Sequence, residues 1–529
     1  MLQPVDQDER ARPGAAVLHR LGAVPPAAVV AGLVVVATVL RLPGLGTWYW
    51  IDEGISVGIA SNPLVDIPEV LVRDGSPPLY YLLLHGWMAV FGSSEVATHS
   101  LSLVFAVAIV PAAWWAGHSL FDRRVGLLAA LLAATNPFLT LYARETRMYT
   151  LVGLLGVLVA GSFLHVFAFG RRRYLPLFVA SLVGLLYTHT WGVFAAAACV
   201  AALVPCLLAR VDRRRLLGDA AIGFGAAALL FIPWLPTLVS QASHNGAPWS
   251  DRPVPREALS AVSEVLGDLH ERVLVALVVA GGAAVFALVR RGRSPEGAAT
   301  RAMCLLIAVT VALGWLSAQV SPAWSTRYFA VFVAPVLLLA ALALARSGSA
   351  GILALVVILA VWIQPLAVVF GLKEPIEPDS KAVDRPVAAA VAPHLRPDDL
   401  VVAMQMEEVP VLHHYLPEGL RYADPDGPVA DPRVADWRDA LERMEATSVA
   451  TDLAPLVESL PAGRRILLVC QTTPDRPDRP WFRLMAQRCA EWKAWLSADP
   501  RLRPLPVPGL EQVREDLLSA VLLFEKGAG

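Results

Sequence analysis

Two adjacent acids, Asp52 and Glu53, stand in the stretch WYWIDEGIS (48–56), directly after the first strongly apolar run of the chain. A charge where a spanning segment ends is cheap only if it faces water, a partner or a substrate. Other polar groups press as closely on apolar runs. Arg144, Glu145 and Arg147 lie in YARETRMY, which closes on Tyr149; His189 lies in YTHTWG, and Arg327 with Tyr328 in STRYF. Carboxylates beside arginines at that depth suit one chemistry. An arginine fork binds phosphate, and a carboxylate takes a proton from an attacking hydroxyl.

The elements that must gather these residues are apolar. Of 529 residues 56% are hydrophobic and 17% charged, with a mean hydropathy of +0.55, which is beyond the range of a soluble globular protein. A formal net charge of −1 gives no electrostatic case for nucleic acid. About eleven runs are long enough for a transmembrane helix of roughly 17–25 residues, among them Pro25–Leu42, Val125–Tyr142 and Tyr174–Thr188. The first follows Arg10, Arg12 and Arg20, lacks a small-residue cleavage site and is expected to be retained.

Arginine distribution orients the runs. FDRRVG, GRRRY, ARVDRRR, RRGRS and ARSGS follow every second one, and the connections between are not basic. Basic loops stay cytoplasmic. The expectation is therefore a cytoplasmic segment at 1–24, a transmembrane domain at 25–372 with its first extracytoplasmic loop at 43–97, and an extracytoplasmic domain at 373–529. Asp52, Glu53, YARETRMY, YTHTWG and STRYF then share the outer face. Asp74–Gly92, apolar but short and holding His85, is expected to lie in the interface, and Asp52–Val72 to form one more short surface helix.

Beyond Lys373 lysine first appears and prolines multiply. DLVVAMQM, RRILLVCQ and AVLLFEK have the pattern of buried strands, and DWRDALERME and WFRLMAQRCAEWKAWL that of amphipathic helices, so a small α/β domain is expected. The five cysteines form no metal-ligand cluster. Cys199, Cys206 and Cys304 are packing residues in apolar runs, whereas Cys470 and Cys489 in the polar tail are free to pair, which spacing alone does not decide.

A lipid-linked phosphosugar presents its phosphate at the outer interface with its tail in the bilayer. Arginine would stabilise the charge that grows on the departing phosphate. Asp52 would deprotonate an acceptor hydroxyl for in-line, inverting attack on the anomeric carbon, with Glu53 and Glu145 holding the acceptor or tuning the base.

The order and spacing of the acid pair, SPPLYYLLLHGW, FDRRVGLLAALLAATNP, YARETRMYTL and the RYF segment resemble the polyprenyl-phosphate-sugar-dependent GT-C glycosyltransferases, specifically bacterial members related to protein O-mannosyltransferases and lipid A aminoarabinose transferases. The likeness covers roughly 25–370. It implies a mainly α, polytopic GT-C-like core, with Asp52 as base and Glu53 completing the acid pair. It also implies that a Glu-x-Arg-x-Tyr pattern falls on Glu145, Arg147 and Tyr149, and that a phosphate-binding pair falls on Arg327 and Tyr328. Unlike the aminoarabinose transferases, this chain has no lysine in the membrane region. Phosphate contacts then rest on arginine, histidine or tyrosine: Arg144, Arg147, His189, Arg327 and Tyr328. The donor sugar is expected to be mannose or a related hexose or pentose, the acceptor a glycan, lipid or protein, and the location the plasma membrane. A divalent cation is left open, because metal use varies within the fold.

Plainer readings exist for each residue. Asp52 and Glu53 would also suit a helix N-terminus, the 144–147 charges an internal ion pair or lipid headgroups, and His189 a helix-end hydrogen bond. Arg73 and Asp74 read as loop ion-pair partners. A transporter or flippase for a lipid-linked or anionic substrate is the alternative, but charges near the midplane would then be expected, and these sit at the outer ends.

Overall fold

The computed structural model of the chain describes residues 25–268, 270–369, 384–471, 479–508 and 519–527. The expected N-terminal segment 1–24 and the expected boundary at 373 lie outside them. A helical bundle precedes that boundary and a domain built on one six-stranded sheet follows it.

Among the described residues, seven helical segments are long and apolar enough to cross a membrane: Glu95–Leu120, Tyr149–Ala168, Gly192–Ala209, Arg213–His244, Arg272–Val289, Pro295–Val320 and Thr326–Arg346. By that measure the expected eleven is not reached. Of the other runs, Gly348–Val369 is one helix of 22 residues, and the rest are shorter or broken. Pro26–Arg41 has 16 residues and Leu175–Leu186 has 12. The run expected over Val125–Tyr142 is two helices, Arg123–Thr135 and Pro137–Tyr142. Pro137 cannot donate to the preceding turn, and the Asn136 side chain caps the second helix by accepting from the Leu139 N–H at 2.9 Å.

The loop between the first two runs holds three helices, Ile51–Ala60, Ile67–Asp74 and Leu79–Phe91. The single helix expected over Asp52–Val72 is thus divided. Pro63 disfavours the helical conformation at Asn62 before it, and Asn62 instead turns its amide onto the carbonyls of Gly58 and Ile59.

The sheet domain has strands β1 (Leu400–Ala403), β2 (Arg421–Asp424), β3 (Gly427–Pro428), β4 (Arg465–Gln471), β5 (Leu502–Leu505) and β6 (Ser519–Lys526), in the order β3-β2-β1-β4-β6-β5. β1 runs parallel to β2 and β4, and the remaining pairs are antiparallel. Strand alternation sends side chains to two cores. Leu400, Val402, Ile466 and Leu468 pack with Trp492 and Leu496 of the helix Pro480–Ala498. Val401, Ala403, Leu467 and Val469 meet Val387 and Val391 of Asp384–Val391 and Val409 and Leu412 of Glu408–Tyr415. Cys470 of β4 is disulfide-bonded to Cys489 of the Pro480–Ala498 helix.

The two units meet at a pair of glycines. Gly54 and Gly58, one helical turn apart on Ile51–Ala60, face the sheet domain. A Cβ at Gly54 would lie 2.5 Å from the Val411 side chain, and one at Gly58 would collide with the Arg433 carbonyl. Without side chains there, the Glu408–Tyr415 helix seats directly against the helix that carries Asp52.

Candidate functional site: an acid held between two arginines

Ile51–Ala60 begins at Trp50, whose N–H donates to Glu53 Oε2 at 3.3 Å. Its first turn therefore fixes Asp52 and Glu53, and the helix sends them to different places. Glu53 is 2% exposed. Its Oε1 accepts from the Thr146 N–H at 2.6 Å and lies 2.6 Å from His99 Nε2. His99 Nδ1 is 2.7 Å from the Leu45 carbonyl. That carbonyl can only accept, so Nδ1 carries a hydrogen and one further proton sits between Nε2 and Oε1. Glu53 thus ties the first loop to the turn at 144–148, away from the cavity.

Asp52 faces a cavity of about 430 Å³, which Arg147, His189, Arg327 and Tyr328 also line. Its Oδ2 is 3.3 Å from Arg327 Nη2 and 3.9 Å from Arg147 Nη2. Arg147 is held independently, donating from Nη1 to the Asp52 carbonyl at 3.2 Å and to Ser56 Oγ at 3.0 Å. The Arg327 guanidinium lies over the rings of Trp50 and Trp249, 5.2 Å from each centroid. Two guanidiniums thus bracket the Asp52 carboxylate.

His189 Nδ1 accepts from the Trp191 N–H at 3.1 Å. Burial, with the charges of Arg147 and Arg327, holds its imidazole down at about 3, so it is neutral at physiological pH. Its ring stands 5.1 Å from that of Tyr328. Tyr149 packs behind the wall, 5.1 Å from the Tyr142 ring and under the Arg147 guanidinium at 5.8 Å.

Of the residues singled out in the sequence, the structure brings Asp52, Arg147, His189, Arg327 and Tyr328 to one cavity, and it does not bring Glu53, Arg144 or Glu145 to its lining. Arg144 donates to the Pro43 carbonyl at 3.3 Å, and Glu145 is 9% exposed. Asp74, expected to be a loop ion-pair partner, instead lines the cavity and accepts from the Tyr81 hydroxyl at 3.4 Å. Gln241, Asn245, Trp249 and Trp437 line it too. Sequence reasoning passed over them; the one signal was a tryptophan and two amides in a connection between apolar runs. Among the described residues no group of three or more His, Cys, Asp or Glu could hold a metal ion.

With this geometry in place, comparison with known proteins is informative. Residues 75–239 match the family described as dolichyl-phosphate-mannose-protein mannosyltransferase, a stretch that contains Arg147, Tyr149 and His189 but neither Asp52 nor Arg327. No curated protein matches the chain by sequence. The structure of ArnT from Cupriavidus metallidurans bound to undecaprenyl phosphate is 14% identical, with 97% of this chain and 98% of that one covered and a TM-score of 0.60. The archaeal oligosaccharyltransferase AglB from Archaeoglobus fulgidus, in complex with an inhibitory peptide and a dolichol-phosphate, is 12% identical over 88% of this chain and 72% of that one, with a TM-score of 0.52. The arabinofuranosyltransferase AftD from mycobacteria is 16% identical over 95% of this chain and 41% of that one, at 0.51. The resemblance drawn from the sequence motifs therefore extends to the whole architecture, and the chain has the ArnT-like GT-C fold.

Proposed function

We propose that the chain is a membrane glycosyltransferase that moves a sugar, mannose or a related hexose or pentose, from a polyprenyl-phosphate donor to an extracytoplasmic acceptor with inversion. The observation that carries this is Asp52 held between Arg147 and Arg327 on the wall of the cavity. A donor phosphate competes for the same two guanidiniums. As it draws them off, the carboxylate is freed to accept a proton. The acceptor O–H gives its proton to the Asp52 carboxylate, its oxygen bonds to the anomeric carbon, and the bond from that carbon to the phosphate oxygen breaks. The polyprenyl phosphate leaves with its new negative charge against the arginines. Neutral His189 and Tyr328 flank the phosphate as uncharged hydrogen-bonding groups, and Tyr149 supports Arg147. Glu53, Arg144 and Glu145 act on the site by fixing the loops that carry it.

The fold supports the donor class: the ArnT structure is bound to undecaprenyl phosphate and the AglB structure to a dolichol-phosphate. Two features support an extracytoplasmic, plasma-membrane setting for the cavity. Arginine-rich connections alternate along the chain, and the sheet domain carries a disulfide, a bond that persists in oxidising compartments.

The test is transfer from a panel of synthetic polyprenyl-phosphate sugars by the purified chain in lipid nanodiscs, with and without chelator, beside Asp52→Asn. Transfer by the wild type that collapses in the variant is expected. Equal turnover by both would remove Asp52 as the base, and chelator sensitivity would bring a divalent cation into the reaction.

A further inference from the structure

The cavity has a second wall, opposite in character to the arginine wall. Gln241 is 4% exposed, and its Nε2 donates to the Leu71 carbonyl at 2.8 Å. Asn245 Nδ2 donates to the carbonyls of Val72 at 3.0 Å and Arg73 at 2.9 Å. Backbone carbonyls only accept, so both side chains must turn their NH₂ groups towards the backbone. Their carbonyl oxygens are left over. Gln241 Oε1 and Asn245 Oδ1 are buried with no hydrogen-bond partner among the described residues. With the Asp74 carboxylate beside them, this wall offers acceptors of hydrogen bonds. Buried acceptors are rarely left unsatisfied without a reason.

Two tryptophans line the same cavity: Trp437, and Trp249, which lies under the Arg327 guanidinium where the two walls meet. Trp437 comes from the sheet domain, and its backbone is tied to the bundle: the Trp437 backbone N–H donates to the Arg73 carbonyl at 2.9 Å, and the Asp439 backbone N–H donates to the His244 carbonyl at 2.8 Å. The wall is therefore completed only when the sheet domain is seated. Acceptor atoms that want hydroxyl donors, beside two indoles that line the same cavity, match the polar and apolar sides of a sugar ring.

We infer that Gln241, Asn245, Asp74, Trp249 and Trp437 form a binding subsite for a carbohydrate acceptor, with the sheet domain supplying one of its faces. This rests on the glycosyltransferase reading and narrows its acceptor to a glycan. The arginine wall at Asp52 takes the phosphate. The amide wall lies where the bundle clasps the sheet domain. A peptide would need donors as well as acceptors for its backbone, and both side-chain amides here have spent their donors.

Binding is measured first, because it needs no turnover. Mannotriose, galactotriose and arabinotriose are titrated against the full chain in nanodiscs, followed by tryptophan fluorescence. At least one should bind saturably, with affinity falling at least about tenfold in Trp437→Ala and recovering in Trp437→Phe, which keeps a stacking face. In transfer assays the same substitution should raise KM for the oligosaccharide by a similar factor with little change in kcat. No saturable binding of any of the three overturns the inference, as does transfer to a serine peptide in preference to the trisaccharides. A rise in donor KM in place of acceptor KM would assign the wall to the donor sugar and likewise overturn it. Glycan binding without sugar transfer from any donor would sink the glycosyltransferase reading and leave the subsite standing.

Discussion

Arg327 Nη2 lies 3.3 Å from Asp52 Oδ2, so the acid assigned as base is ion-paired by the group assigned to the phosphate. The two roles are coupled: the cation cannot bind donor phosphate fully without loosening its hold on the carboxylate. Asp52→Asn keeps size and polarity but cannot take a proton. Transfer should fall by about 10²–10⁴-fold, the usual range for a lost general base, with donor affinity kept or raised because the arginines are no longer neutralised. Single-turnover transfer and donor binding in nanodiscs separate the two. Weakened donor binding with undiminished transfer would reverse the assignment.

Arg327 is held by geometry as well as charge, its planar guanidinium lying over Trp50 and Trp249. Lysine keeps the charge but loses the plane and the fork. Arg327→Lys should therefore not rescue Arg327→Ala: both should lose transfer by about 10²–10³-fold, the scale of removing one preorganised donor from a developing anion. Near-normal kcat in the lysine variant would show that the position needs only a positive charge.

The contact at Gly54 gives a prediction on assembly. A Cβ there meets Val411 at 2.5 Å, against side chain and backbone alike, so neither partner has room to yield. Gly54→Val should separate the sheet domain from the Asp52 helix, at a cost of at least about 1–3 kcal/mol for overpacking. A lower melting temperature should accompany a loss of transfer, because the first turn that aims Asp52 shifts with the helix. A protein of unchanged stability and activity would mean that the two units do not need to be seated.

These contrasts show why parts of the molecule were legible in its sequence and others were not. The apolar runs, the three strand segments of the tail and the charged groups at helix ends all follow from local composition, and Asp52, Arg147, His189 and Arg327 converge because all sit at the same ends of their helices. The divergent fates of Asp52 and Glu53 depend on helical rotation: neighbours point about 100° apart, so one faces the cavity and the other the His99 side. The glycine pair at 54 and 58 stands in the open in DEGISVGI, but its meaning needs Val411 and Arg433, far along the chain in a separate domain. Gln241, Asn245 and Trp437 were invisible for the same reason. Their roles come from carbonyls at 71–73 and from the docking of a separate domain.

Burial pushes Asp384, Glu407 and Asp424 of the sheet domain each up to about 7, and it raises Glu408 well above its usual range with help from the charges of Asp384 and Glu407. In the unfolded chain such carboxyls titrate near about 4. Between about pH 4 and about pH 7 the folded protein therefore binds more protons than the unfolded one, so stability falls as pH rises and levels off above the folded value. Asp431 and Asp436 have the opposite sign: against the cost of burial, hydrogen bonds from Arg433 and Arg438 hold them low, and their contribution is lost only below about pH 4. They do not oppose the trend at neutral pH. His189, His413 and His414, held low by burial, oppose this below about pH 6.5, so the full chain should melt at a higher temperature at about pH 6.5 than at about pH 8, with a stability difference on the order of a few kcal/mol. Glu408→Gln removes the carboxyl that is raised furthest by its neighbours and relieves Asp384 and Glu407 of its charge, so the drop between the two pH values should shrink. A melting temperature that rises with pH, or a variant that keeps the full drop, would show that these acids are ionised in the native domain.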